Sequence, residues 1–414
     1  LDWLSSSPLT AGLSLERMGR PLQVGTPGSR LTHTLRVRHL GIAGITDTLT
    51  LSISGSDWPA VLSPTYATLT PCASLEAQLL ITVPEGTGVD VSALTTVSVQ
   101  SALDPVGHAI TMTSKTPAPV LLVDDDRWYP METYYIQALE RAGLPYDRWD
   151  IQHNLGGIPG ARSPSTKTLL QYPVVVWFTG YDWYAPIRDA EVPRLERYLD
   201  EGGRLLLSSQ SFLDYHSASA FADRLGVMAV DAAFEPTQAS AVVEHSAGGR
   251  WGPVALRYPY QNWSYGVEPK PEAQTVVRGQ WGQPLAIAAR DPVSGRPATL
   301  FYAVPLETLP DVPRVDAISA GIGWLSPVGD SAWSVQPTWG RSGETFEFSL
   351  RIRNRGDEPV VVAVSHTLPS ALSILTPLEG GVEYEALSRR VTWRGQVSSG
   401  TTVPLTWRAK RMDG

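Results

Sequence analysis

A single cysteine, Cys72, stands in a chain of 414 residues. An intrachain disulfide and a cysteine-rich zinc site are thereby excluded. Lysine is also scarce: Lys115, Lys167, Lys270 and Lys410 are the only four, the arginines are scattered, and the net charge is −8. No basic stripe could track a phosphate backbone, so nucleic acid is not expected as a partner. No polybasic segment suits an anionic membrane surface, and no apolar run reaches the length of a membrane span. A basic-then-apolar leader is missing too. Leu1-Asp2-Trp3 reads as an internal start, so the chain is expected to be a segment whose export address lies outside it. Short catalytic motifs are equally sparse, with no G-x-S-x-G, no His-Glu-x-x-His and no P-loop.

Hydrophobic residues at 43% against charged residues at 18% supply enough apolar material for packed cores rather than disorder. At roughly 150 residues per domain, this length suggests two to four domains. The 36 glycines and 34 prolines point to frequent turns. The fourteen tryptophans would serve either as core anchors or as a sugar-stacking surface, and most sit inside apolar runs, which suits the core.

Three regions differ in period. Before residue 117, Leu31, His33, Leu35 and Val37 alternate with polar neighbours, and Leu49, Leu51 and Ile53 repeat the pattern. Short strands with turns at this spacing predict a sandwich. Thr116-Pro117-Ala118-Pro119 reads as a stiff linker. Beyond it, Val120–Val123, 174–178 and Leu205–Leu207 are continuous apolar runs, as in strands buried on both faces. Helical spacing separates them, at Tyr135, Ile136, Leu139 and Ala142, and at Val192, Leu195, Tyr198 and Leu199. That alternation predicts a parallel sheet, with added strands from 240 to 303 and a closing helix through Val315, Ile318, Ile322 and Leu325. From Trp333 onward strand alternation returns at Phe346, Phe348, Leu350 and Ile352. A weak echo links the ends: Leu35-Arg36-Val37-Arg38-His39 precedes Gly41, and Leu350-Arg351-Ile352-Arg353-Asn354 precedes Gly356, as two related β modules would.

Several stretches carry family likenesses. Gly55-Ser56-Asp57-Trp58, Leu69-Thr70-Pro71-Cys72, Val83-Pro84 and Ser101-Ala102-Leu103-Asp104-Pro105 resemble the immunoglobulin-like module that follows the catalytic domain in some bacterial subtilisin-like proteases, with Cys72 where such modules often carry glycine. Val123-Asp124-Asp125-Asp126, Tyr134-Tyr135, Tyr146-Asp147-Arg148-Trp149-Asp150 and Val176-Trp177-Phe178-Thr179-Gly180 resemble the α/β module of large secreted peptidases, including immune inhibitor A-like metallopeptidases. Its fold is similar to the flavodoxin-like core of class I glutamine amidotransferases. Residues 345–407 are similar to the conserved repeat domains of bacterial surface proteins. These resemblances imply an all-β immunoglobulin-like sandwich over 1–117, an α/β flavodoxin-like three-layer domain over 118–326 with an insertion near 227–272, and a second immunoglobulin-like sandwich over 327–414. They also imply a bacterial, extracellular or cell-surface setting.

Chemistry has three candidate places. Asp124, Asp125 and Asp126 follow the first parallel strand, at the end of a sheet where ligands bind. They would hold Mg²⁺ or Ca²⁺ through oxygen, or cap the following helix and bind its amides. A phosphoacceptor pattern is not met, because the third strand ends Thr179-Gly180-Tyr181 and Asp182 comes late. The amidotransferase likeness implies a nucleophile turn at Leu207-Ser208-Ser209-Gln210-Ser211, which holds serines and lacks flanking glycines; Ser209 with His216, and Asp214 nearby, is the weak hydrolase candidate. Finally, Trp128, Tyr129, Tyr181, Trp183, Tyr184, Tyr260 and Trp263 would gather near the strand ends, either as a surface for a glycan or peptide or as filling between the α/β core and its insertion. The expected role is non-catalytic scaffolding or binding, with no cofactor, beside an enzyme domain covalently linked upstream, a protease by resemblance.

Overall fold

The computed structural model describes residues 12–412 except 21, 42–43, 104–106, 128, 152–162, 232–234, 330, 338–339 and 357. Leu1-Asp2-Trp3, Asp104-Pro105, Trp128, His153 and Asp357 lie outside the described residues. The chain is mostly β, 43% strand against 14% helix, and forms two compact units, 1–117 and 118–414.

The first unit is a β-sandwich. One sheet orders Leu13–Met18, Arg30–His39, Ser74–Thr82 and Ala60–Ser63; the other orders Leu22–Val24, His108–Lys115, Ser92–Ser101, Asp47–Ser56 and Tyr66–Leu69. Inward alternation builds the core: Leu31, Leu35 and Val37 from one sheet meet Leu49, Leu51, Val97 and Val99 from the other. His33 takes an inward position and its Nε2 meets Ser114 Oγ at 3.0 Å, so a buried polar pair joins the two layers. Burial and Arg17 hold this imidazole below its ordinary value, which keeps it neutral.

Cys72 adopts φ +63°, the left-handed region where a side chain is strained and glycine is not. Its amide donates to the His39 carbonyl at 3.1 Å, so the turn is held in that shape. Cys72→Gly is expected to stabilise the sandwich by about 0.5–1 kcal/mol, read as a raised urea midpoint; a lowered midpoint would show that the thiol packs usefully.

In the second unit a nine-stranded sheet runs Tyr146–Asp150, Val120–Asp124, Val174–Phe178, Leu205–Ser208, Pro297–Tyr302, Pro284–Arg290, Gln274–Gly279, Gln238–Ala241 and Val254–Ala255. The first five strands are mutually parallel and the last four join antiparallel. Every residue of Val120–Asp124, Val174–Phe178 and Leu205–Ser208 is buried, which is why these strands read as unbroken apolar runs. Helices Glu132–Arg141 and Asp311–Leu325 pack on the face carrying Leu122, Val176, Leu206 and Leu300. Val192–Asp200, with Leu195, Tyr198 and Leu199 buried, packs with the short helices Thr166–Leu169 and Ala220–Arg224. The closing helix buries Ile318, Ile322 and Leu325.

Within the same unit a smaller sandwich follows. Ala332–Gln336, Thr345–Arg353, Thr402–Arg411 and Leu372–Leu375 form one sheet, and Val360–Thr367, Arg390–Val397 and Glu383–Glu385 the other. Trp407 stacks parallel to Phe348 at 5.8 Å and tilts against Trp333 at 5.0 Å in its core. The echo between the two ends has a common turn chemistry. At one strand end the His39 ring accepts the Gly41 amide at 3.2 Å, and at the other Asn354 Oδ1 accepts the Gly356 amide at 2.9 Å.

This sandwich is pinned to the helical layer by Arg355. Its guanidinium donates to the carbonyls of Ala142 (3.3 Å) and Gly143 (3.1 Å), which end helix Glu132–Arg141. A side chain on Gly323 would meet the Arg355 carbonyl at 2.9 Å, so glycine permits the approach. Arg355→Ala is expected to remove about 1–3 kcal/mol of docking and to split the calorimetric transition of 118–414 in two; a single, unshifted transition would show the docking to rest elsewhere.

Candidate functional site

The sequence places its candidate residues at the carboxyl ends of the parallel strands, and the structure shows how far they converge. The three acids take different donors. Asp124 Oδ2 accepts both Nε (3.0 Å) and a terminal nitrogen (2.5 Å) of Arg148, from the adjacent strand. Asp125, fully buried, accepts the Trp177 indole N–H at 3.0 Å. Asp126 accepts the amide of Met131, just before helix Glu132–Arg141, at 2.9 Å. Only Asp126 therefore serves the helix entrance. Among the described residues no group of three His, Cys, Asp or Glu side chains is placed to hold a metal ion; the Mg²⁺ or Ca²⁺ expectation at Asp124, Asp125 and Asp126 gives way to an Asp124–Asp126 carboxyl pair with its own Arg148 and Met131 donors, and to Asp125 apart on Trp177. Gly180 (φ +52°) makes the crevice here tighter still, since a Cβ on it would meet Asp126 Cβ at 2.7 Å.

Burial drives the charge states. It pushes Asp125 well above the usual carboxylate range, with Glu191 adding repulsion. It raises Asp124 despite Arg148, and raises Asp126 to about 9, with the Asp124 carboxylate the second cause.

Ser209 and His216 do not form a hydrogen-bonded pair. The Ser209 hydroxyl accepts Thr179 Oγ1–H at 2.7 Å and is fully buried. The His216 ring stacks on Phe212 at 5.0 Å, and its Nε2 meets the Ile187 carbonyl at 2.6 Å. Asp214 is exposed on the helix Phe212–His216. The structure does not bring the weak hydrolase candidates Ser209, His216 and Asp214 together: an imidazole whose Nε2 is committed to a backbone carbonyl is not oriented as a base toward that hydroxyl.

The aromatic residues do come together. Tyr181 is the hub: it stacks on Tyr260 at 4.8 Å and on Trp263 at 5.2 Å, and meets Tyr129 edge-on at 5.2 Å. From Trp263 a row continues outward through Trp183 (6.3 Å), Tyr184 (6.2 Å) and Tyr215 (6.3 Å), each ring nearly perpendicular to the last. Tyr129, Tyr181 and Tyr260 are half-buried, whereas Trp183, Tyr184, Tyr215 and Trp263 are 53%, 61%, 47% and 39% exposed. The inner rings are half-buried, and the outer four form an exposed shelf.

Buried polar side chains fasten this shelf. Asp182, 1% exposed, accepts the Tyr184 amide at 2.9 Å and pairs with Arg127 Nε at 2.7 Å. Arg127 also donates to the Tyr184 carbonyl and lies 5.7 Å over its ring. Tyr215 Oη–H donates to the Trp183 carbonyl at 3.2 Å. Glu307, 2% exposed, accepts the phenols of Tyr260 and Tyr135, each at 2.5 Å. Arg127, Tyr215 and Glu307 escape sequence reasoning. The one available signal was Arg127 following three acids, since a counter-charge there is expected.

No protein-family profile matches the chain, and no curated protein matches it. Similar solved structures include the ASH/PapD-like domain 7 of human CEP192 (14% identity, 28% of this chain and 91% of that one, TM-score 0.20). Others are the D00–D0 domain of intimin (12%, 27% and 50%, 0.20) and a family 123 glycoside hydrolase from Clostridium perfringens (10%, 49% and 38%, 0.21). Scores this low leave the function to be argued from the residues.

Proposed function

We propose that this chain is a non-catalytic binding segment of a larger exported bacterial protein, and that the aromatic shelf of its α/β domain binds a glycan. One observation carries the reading: Trp183, Tyr184 and Tyr215, which follow parallel strands at their carboxyl ends, and Trp263, from the loop before Gly266–Pro269, form a continuous row of exposed rings, close to where open α/β sheets place their ligands. Four large exposed rings in one patch are costly unless a partner covers them, and aromatic faces suit the apolar faces of sugar rings. Commitment of Ser209 and His216 to Thr179 and Ile187 supports binding rather than turnover.

The strand order supports a finer fold reading as well. Tyr146–Asp150 lies outside Val120–Asp124, and Val174–Phe178, Leu205–Ser208 and Pro297–Tyr302 follow on its other side. That is the flavodoxin-like order of a doubly wound sheet, in keeping with kinship to the amidotransferase-like module of secreted peptidases. On this reading the flanking sandwiches are immunoglobulin-like spacers, and the covalently linked partner is an upstream peptidase domain. No helix among the described residues is long and apolar enough to cross a membrane.

A glycan array tests the binding role. The native chain is expected to retain a subset of glycans, and Trp183→Ala to weaken them at least tenfold, equivalent to about 1.4 kcal/mol, with its melting temperature unchanged. Retention of none, or equal retention by Trp183→Ala, would remove the shelf as a glycan site.

A further inference from the structure

We infer that Gln210 is a positioning residue that holds Trp263 in the aromatic shelf, an inference that rests on the binding role proposed for that shelf. Gln210 lies just beyond strand Leu205–Ser208, in the turn where the amidotransferase likeness would put a nucleophile. It is 1% exposed. Its Oε1 accepts the Trp263 amide at 3.1 Å and the Ser264 hydroxyl at 3.4 Å, and its Nε2 donates to the Gln261 carbonyl at 3.2 Å. One planar amide therefore clamps both sides of the Gln261–Ser264 loop.

The rest of that loop is held by bonds that do not involve the turn. Asn262 Oδ1 accepts the Ser264 amide at 3.0 Å, and Asn262 Nδ2 donates to the Pro236 carbonyl at 3.1 Å. Tyr260 is fastened separately through Glu307. Loss of Gln210 would thus free the Trp263 backbone while Tyr260 and the loop's own turn stay in place. The neighbouring residues of the strand-end turn are likewise committed to structure. Ser208 Oγ accepts the Leu306 amide at 3.0 Å, and Ser209 accepts Thr179 Oγ1–H. The turn works as a bracket for the loops above it.

The chemistry demands an acceptor and a donor on one rigid group, which an amide supplies. A carboxylate would oppose the Gln261 carbonyl, whereas a protonated carboxyl would satisfy both sides. Gln210→Glu should therefore keep the clamp while its carboxyl is protonated and lose it once ionised, at a pH that burial holds above the ordinary range.

Hydrogen exchange of the full chain, with ¹⁹F NMR of 5-fluorotryptophan assigned through Trp263→Phe, tests the clamp without any ligand. Gln210→Ala is expected to lower protection of the Trp263 amide at least tenfold and to shift its ¹⁹F resonance, with strand Val174–Phe178 unchanged. Gln210→Glu should approach native protection near pH 5, where its carboxyl is protonated. Unchanged Trp263 protection in Gln210→Ala, protection of Gln210→Glu no better than that of Gln210→Ala at pH 5, or loss spread through the sheet would overturn the positioning role. A native chain that retains no glycan, with these exchange results intact, would instead remove the binding reading and leave the clamp standing.

Discussion

Glu307→Ala is expected to destabilise the 118–414 unit by about 2–4 kcal/mol, because the buried phenol of Tyr135 and the half-buried one of Tyr260 lose a shared acceptor and a cavity is left. The Tyr135 phenol has one proton and donates it to Glu307. Ser208 Oγ, 2.8 Å away, is then left to donate to the phenol oxygen while accepting the Leu306 amide. Tyr260 approaches the other carboxylate oxygen. Tyr135 is itself fully buried and stacked on Phe178 at 4.1 Å, so its hydroxyl cannot turn to water. Without Glu307 the Tyr135 proton can turn to Ser208 Oγ, so the loss falls mainly on the Tyr260 hydroxyl, about 1–3 kcal/mol, and on the cavity left by the missing side chain.

Glu307→Gln keeps one acceptor oxygen and should cost less, about 1–2 kcal/mol. Tyr260→Phe should cost about 1 kcal/mol, and the double variant should be less than additive because the pair shares a bond. Urea denaturation monitored at the aromatic band reads all four chains. An alanine variant within 1 kcal/mol of native would mean that water or another group satisfies the phenols, and the bracket role of Glu307 would be lost.

Much of this architecture was legible because strand burial writes itself in period and composition. Leu31, Leu35 and Val37 alternate because one face of their strand meets the core, and Val174–Phe178 does not alternate because both faces do. The left-handed turn at Cys72 was visible only through the family likeness, since no local rule asks for φ above zero there.

The site was legible by residue type and illegible by direction. Tyr129, Tyr181, Trp183 and Tyr184 follow the parallel strands Val120–Asp124 and Val174–Phe178, a placement that sequence order carries, whereas Tyr260 and Trp263 reach them from the segment between Val254–Ala255 and Gly266–Pro269. Which rings are exposed depends on brackets whose partners lie far along the chain: Gln210 reaches Trp263, and Glu307 reaches Tyr135. Similarly, Asp124, Asp125 and Asp126 suggest a shared cation when read as neighbours. In a strand that emerges into a turn, Asp125 points away to Trp177, while Asp124 and Asp126 fall on the same side, meet each other and take donors from Arg148 and Met131.

Those carboxyls give the second large expected effect, a falling stability with rising pH that Asp126→Asn should abolish in part. Burial and the Asp124 carboxylate raise Asp126 from the ordinary carboxylate range to about 9. Between about pH 4 and pH 9 the native state thus keeps a proton that the unfolded chain has released. A raised native value means that the stabilising contribution is complete below the unfolded value and is lost as pH climbs through the native one, at about 1.4 kcal/mol per pH unit for one proton. Asparagine reproduces the protonated form: its oxygen can accept the Met131 amide and its NH₂ can donate toward Asp124, without titrating. Asp125 and Glu307 are raised as well and give slopes of the same sign, so the comparison must be between variants. From pH 6 to pH 8 the native chain should lose about 2–3 kcal/mol more than Asp126→Asn, measured by urea denaturation at matched ionic strength. Parallel profiles for the two chains would show that Asp126 is ionised at neutral pH, and that Asp124 and Asp126 repel across a hydrated gap rather than share a proton in a dry one.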